Sequence, residues 1–235
     1  MYFIYNDVSS EELGIKVKKG GINNFSSPQR SYETVQVKGR NGDLIIDNGN
    51  YENFTLEIEC YIDARNSNLN TISMEIKKWL TSDLGYKPLI LSTDLNCYYE
   101  AICANKLDIS EMVENFGECL IVFNCKPLKR EMFGDNKIIL TENGILYNNG
   151  LTSTPYIKVV GSGDITININ NQKLILKGVE GYIEVDTELY NCFKGNVNQN
   201  NKMNSDFPVL EEGVNNISWE GNVTQLEILP RWVVL

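Results

Sequence analysis

The sequence predicts a mainly β protein in two domains: a β-sandwich or split-barrel-like first domain carrying one helix and a long hairpin, then a β-sandwich. Three observations predict it. Phe54, Leu56, Ile58, Cys60 and Ile62 alternate with Thr55, Glu57, Glu59 and Tyr61, the period of a strand with one buried face. Leu69, Ile72, Ile76, Trp79 and Leu80 recur at three- and four-residue steps, the period of an amphipathic helix. Beyond Asp135 the apolar residues come in short alternating runs, Ile157 and Val159, Ile165 to Ile169, Leu174 and Leu176, parted by Gly, Asn and Asp, as in an all-β sandwich.

Each element follows in chain order. Tyr32 to Val37 alternates, Lys38 to Asp43 contains an Asn-Gly turn, and Leu44 to Asp47 returns, which is a hairpin signal. The long strand Phe54 to Ile62 comes next. Asn68 is placed to cap the one substantial helix, and Gly85 lies just past its end. Pro88 to Leu91, Tyr98 to Lys106 and Cys119 to Cys125 read as strands, with Asp108 to Gly117 as a polar connection. Pro127 to Gly134 has no periodic apolar face, so the domains are drawn as 1–131 and 132–235. In the second, Gly161-Ser162-Gly163-Asp164 reads as a turn. Ile183 and Val185 alternate with Glu184 and Asp186, and three short elements end the chain: one at Ile217 to Trp219, a turn at Glu220-Gly221-Asn222, and a strand from Val223 to Leu229.

Composition removes much chemistry. The chain of 235 residues has 31 acidic against 21 basic side chains, a net charge of −10, the wrong sign for a surface that grips phosphate. It has no histidine, which excludes Ser-His-Asp and Cys-His catalysis and the common zinc sites that use His. Its six cysteines form no CxxC. Cys97 and Cys103, like Cys119 and Cys125, would share a strand face about 20 Å apart, too far for one metal ion. No catalytic residue, cofactor or metal ligand is expected. The opening MYFIYNDVSSEELGI lacks a basic n-region and long apolar run, and no window is apolar enough to span a bilayer, so a cytoplasmically made chain without a membrane partner is expected. Trp219 and Tyr182, with Trp232 and Tyr190, are candidate sugar-stacking residues, against the commoner role of large aromatics as core.

Ordered words along the chain carry a family resemblance. They are Met1-Tyr-Phe-Ile-Tyr-Asn6, Gly39-Arg-Asn-Gly-Asp43, Phe54 to Ile62, Ile76-Lys-Lys-Trp-Leu80, Cys125-Lys-Pro127, ITININNQKLILKG, and the ending ISWEGNVTQLEILPRW. In this order they resemble the distal tail proteins of long-tailed phages. The resemblance implies a structural protein whose first domain forms a homohexameric ring around a channel for DNA and whose second is a galectin-like sandwich. The implied partners are the major tail tube protein, a tail-tip fibre or tail-associated lysin protein, and passing DNA without sequence-specific binding. The implied location is the virion tail tip, after synthesis in the bacterial host. Arg40, Asn41 and Asp43 at the hairpin tip are then candidate ring contacts. The alternative is a carbohydrate-binding adhesion module using Trp219 and Tyr182, although no sugar-site motif is identifiable.

Overall fold

The computed structural model describes residues 1–22, 27–113 and 115–235, which group into two compact units, Met1–Lys129 with Leu235, and Arg130–Val234. The protein is mainly β, with one α-helix among the described residues.

In the first unit the main antiparallel sheet runs, in spatial order, Val8–Ser9, Phe3–Tyr5, Lys87–Leu91, Asp94–Cys103, Phe116–Cys125, Phe54–Asp63 and Ile15–Ile22. The alternation read from the sequence sets its core. Leu56, Ile58, Cys60 and Ile62 are buried, while Glu57 and Glu59 on the same strand are exposed. This strand pairs along its whole length with Phe116–Cys125, from Asp63 opposite Phe116 to Phe54 opposite Cys125. The helix Leu69–Thr81 starts as expected: Asn70 N–H donates to the Asn68 side chain at 2.8 Å, which satisfies one orphan donor of the first turn. Ile72, Ile76 and Leu80 then join the sheet's core. Trp79 fixes the helix to the first strand, stacking on Phe3 at 5.7 Å between ring centroids and donating from Nε1 to the Tyr5 carbonyl at 2.9 Å.

The region expected as a polar connection is corrected by the structure. Ile109–Val113 is a strand that pairs with the start of Phe116–Cys125, and Asn115, at φ 64, turns the chain between them; Glu114 lies outside the described residues. The strand is short and its apolar residues, Ile109, Met112 and Val113, do not alternate, so no strand period shows in the sequence.

The second unit is built on one seven-stranded antiparallel sheet, in the order Ile138–Leu140, Gly213–Leu229, Tyr156–Ile169, Gln172–Asp186, Asn191–Lys194 and Val197–Asn198, with Gly144–Asn148 also paired to Gly213–Leu229. The three central strands have 14, 15 and 17 residues, well beyond the usual strand of about 5–6. Each stays continuous because register shifts occur in mid-strand, between Gly163 and Ile165 on one side and from Val160 to Thr166 on the other. Such bulges bend a strand without ending it. Ile157 and Val159 before the bend and Ile165, Ile167 and Ile169 after it reach the same core, so one folded sheet supplies both walls of the sandwich. Gly161-Ser162-Gly163-Asp164 and Glu220-Gly221-Asn222, which read as turns, are these bends. A Cβ on Gly161 would strike the Asn222 carbonyl and one on Gly221 the Asp164 carbonyl, so the glycines here permit close backbone approach rather than chain reversal.

A buried ionic clasp closes this unit. Asp186 was expected on the solvent side of its strand, yet it is 5% exposed. Both its oxygens accept from Arg231, at 2.7 and 2.8 Å, and Oδ1 also accepts from the Glu188 and Leu189 amides. Burial works against the charge on Asp186, but the Arg231 guanidinium and the Leu189 amide outweigh it and hold the carboxyl below its usual range. Arg130 meets Glu188 at 2.5 Å, and Arg231 lies 3.5 Å from the same Glu188 oxygen. The Glu131 amide bonds to the Trp232 carbonyl and the Arg231 amide to the Gly134 carbonyl, so the first and last residues of the unit lie side by side.

Candidate functional site

The part of the first unit least satisfied by its own chain is the hairpin Arg30–Val35 and Leu44–Tyr51, which forms a separate two-stranded sheet. Its register sets Val35 opposite Leu44, Thr34 opposite Ile45, Glu33 opposite Ile46 and Tyr32 opposite Asp47. Residues directly opposite share a face, and alternate residues along a strand share it too. One face of the ribbon therefore carries Glu33, Val35, Leu44 and Ile46; the other carries Tyr32, Thr34, Ile45 and Asp47. Val35, Leu44 and Ile46 are 40, 39 and 44% exposed and Ile45 is 66% exposed. An isolated two-stranded ribbon is marginal in water, and apolar residues at this exposure leave surface that a partner could cover.

The ribbon's base is tied down by polar contacts: Arg30 lies 3.5 Å from the Asp47 carboxylate and over the Tyr51 ring, and Asn48 donates to Ser31 Oγ at 3.1 Å. At its tip the Arg40 amide bonds to the Val37 carbonyl at 3.2 Å. Arg40, Asn41 and Asp43 are all exposed there, together at the end of the ribbon. The sequence located the tip through its Asn-Gly pair but missed the apolar face behind it, although V-Q-V and L-I-I were the signal that could have found it.

A second surface is the solvent side of the central strands of the same unit. Glu57 faces Val122 across the strands, Glu59 faces Leu120 and Tyr61 faces Glu118. Lys18 is placed among these groups, 2.8 Å from Glu118 and 3.6 Å from Glu59, and its ammonium sits 5.0 Å from the Tyr61 ring centroid. The hydrogen bond to Glu118 raises the Lys18 pKa above its ordinary value. Lys16, opposite Tyr61 on the same face, lies 3.7 Å from Asp63, and the four carboxylates Glu57, Glu59, Asp63 and Glu118 outnumber these two lysines.

The structure does not bring the two sugar-stacking candidates together. Trp219 lies opposite Ile167, on the core side of the sheet, and packs against the second unit's core; Tyr182 lies opposite Val160, on the outer side, with the Lys158 and Lys194 ammonium groups 4.9 and 5.2 Å from its ring centroid. Trp232 is buried in the core. Tyr190 is 69% exposed, at φ 48, and makes an edge contact with Phe207. Phe207 in turn lines a groove of about 480 Å3 with Asn171, Lys173, Asn204 and Asp206. Among the described residues no group of three or more metal-ligating side chains converges.

Residues 8–125, half of the chain, match the family model described as the phage tail protein RIFT-related domain. The chain is 23% identical over 252 residues to the SPbeta prophage-derived uncharacterized protein YomH of Bacillus subtilis (strain 168), covering 94% of this chain and 92% of that one. Its fold is similar to that of the Dit (gp 19.1) protein of phage SPP1, described as a paradigm of the hub adsorption apparatus in phages that infect Gram-positive bacteria. The TM-score is 0.76 with 14% identity, over 100% of this chain and 99% of that one. It is also similar to a chain of the phage p2 baseplate in its activated conformation with Sr, with a TM-score of 0.53 and 10% identity over 97% and 96% of the two chains. The chain belongs to the phage tail protein RIFT-related domain family, and its fold is that of a distal tail protein.

Proposed function

We propose that the protein is the structural hub of a phage tail tip, assembling through its first unit into a six-fold ring that joins the tail tube to the tip proteins and leaves a central channel for DNA. The observation that carries this reading is the ribbon Arg30–Tyr51, whose apolar residues have no core of their own. In a closed ring each copy lends its ribbon to the sheet of the next, which buries Val35, Leu44 and Ile46 and pairs the ribbon's free edges. Arg40, Asn41 and Asp43 then meet the neighbour at the far end. The acidic strip of Glu57, Glu59 and Glu118 suits a channel wall, because like charge repels phosphate and lets DNA slide without adhering.

Native mass spectrometry over a concentration series, with negative-stain images of the same sample, tests the assembly. Hexamers with a central hole are expected. Arg40→Glu and Asp43→Lys should each abolish them while leaving the monomer folded; intact rings from both variants reject the tip contact. A strict monomer that stays monomeric with the tail tube protein added rejects the hub.

One observation favours a second reading, that the second unit binds a glycan. The groove beside Phe207 offers amides, a lysine and a carboxylate next to an aromatic ring, the mixture that sugars engage. A glycan array on the wild type and on Phe207→Ala tests it, and equal signals from the two would reject this groove.

A further inference from the structure

Two of the six cysteines stand opposite one another. The register of the first unit's central pair of strands sets Cys60 directly across from Cys119. Opposite residues of an antiparallel pair have Cα atoms about 4.5–5.5 Å apart and side chains on one face, inside the roughly 4.4–6.8 Å that a disulfide spans. Both thiols are free, and the Cys60 thiol donates to the Ile58 carbonyl at 3.6 Å. No other two cysteines are partners in the strand register of the described residues: Cys125 faces Phe54 and Ala101, Cys103 faces Phe123, and Cys192 faces Val185.

The two sulfurs differ. The neighbouring Cys60 side chain lowers the Cys119 pKa, burial opposes this, and the Lys18 ammonium adds to the lowering. The neighbouring Cys119 sulfur, followed by burial, pushes the Cys60 thiol up, so Cys119 is the more nucleophilic partner. Access is also unequal. Cys60 is fully buried, whereas Cys119 borders a pocket of about 310 Å3 whose wall includes Lys18, Glu118 and Leu120.

We propose that Cys60 and Cys119 form a redox modification site, a dithiol that a small peroxide closes into a disulfide joining the two central strands of the first unit. The Cys119 thiolate attacks one oxygen of hydrogen peroxide and the O–O bond breaks. Hydroxide leaves and takes a proton to become water, and Cys119 becomes a sulfenic acid. The Cys60 sulfur then attacks the Cys119 sulfur; the hydroxyl departs with the Cys60 proton as a second water, and the S–S bond remains. Two thiols are oxidised and one peroxide is reduced. A chain made where thiols stay reduced and later carried outside the cell would meet such an oxidant only after assembly. That timing rests on the tail-hub reading, whereas the chemistry does not.

The experiment treats the fully reduced, folded protein with hydrogen peroxide, digests it without reductant and maps peptides by mass spectrometry, with dimedone present in a parallel sample. The expected result is a peptide pair joined through Cys60 and Cys119, lighter by two hydrogens and separated again by dithiothreitol. In Cys60→Ala the link disappears and Cys119 is recovered as the dimedone adduct. Cys119 oxidised to sulfinic or sulfonic acid in the wild type with no linked peptide would overturn the proposal. So would oxidation confined to Cys97 or Cys103 with Cys60 and Cys119 left as thiols. The assembly measurements above use reduced protein, so failure to form rings and failure to form the disulfide are read separately.

Discussion

The ribbon Arg30–Tyr51 and the long strands of the second unit are both β-structure, yet they solve the same problem in opposite ways. The strands Tyr156–Ile169, Gln172–Asp186 and Gly213–Leu229 pair on one another and bury Ile157, Ile167, Leu174 and Ile228 completely. Where they leave charges inside, at Asp186 and Glu227, a guanidinium and the Lys137 ammonium meet them. The ribbon has one internal pairing and leaves Val35, Leu44, Ile45 and Ile46 at 39–66% exposure. A structure whose backbone and apolar groups are satisfied within the chain is a folding unit; the ribbon's open groups are what the proposed ring would cover.

The sharpest way to break this contrast is to open the clasp. Asp186→Ala leaves Arg231 without its buried carboxylate, and removing one partner of such a pair costs about 3–5 kcal/mol. Urea unfolding should show that loss in the second unit, and a change under about 1 kcal/mol would mean that the clasp contributes no more than an exposed pair. The counterpart in the ribbon is Val35→Lys with Ile46→Lys. These changes should leave the melting temperature of the monomer unmoved while raising the concentration needed for assembly on the order of 100-fold, as loss of an apolar interface centre does. A monomer that unfolds instead would show the ribbon to be part of the core.

Acid sharpens the same comparison. The carboxyl of Asp186 is held below its unfolded value, so its contribution is fully present above the unfolded pKa of about 3.9 and is lost as pH falls through the lower folded value. The stability difference between wild type and Asp186→Asn should therefore stay level near neutrality and shrink below about pH 4. A gap that widens in acid would contradict the assignment. The smallest effect belongs to Asn68→Ala, which removes the acceptor for the Asn70 amide and should cost about 1 kcal/mol without touching assembly.

What the sequence made legible follows the range of the interactions. The helix could be read because its cap at Asn68 and its buried Ile72, Ile76 and Leu80 are local, and the strand Phe54–Asp63 because its alternation is. The ribbon tip was legible for the same reason. Asp186 was misread because its partner, Arg231, is 45 residues away and nothing near it marks the pairing. Gly221 reads as a turn residue, and only the opposing carbonyl of Asp164 shows that it serves a crossing of two strands. For the candidate site, Arg40, Asn41 and Asp43 fall together at the ribbon tip because a turn is a local feature. Trp219 and Tyr182 share a sheet but not a face, since register decides which side each takes.

The meeting of Arg130 and Arg231 at Glu188 has a further consequence. A polypeptide that enters and leaves a folded body at one point can be recut: its natural ends can be joined by a short bridge and new ends opened elsewhere. The exposed bend Thr141-Glu142, between the strands Ile138–Leu140 and Gly144–Asn148, is the place to open it. Such a circular permutant of the second unit should keep its sheet intact, and the same single seam would let one sandwich be exchanged for another by recombination without rethreading the rest of the chain.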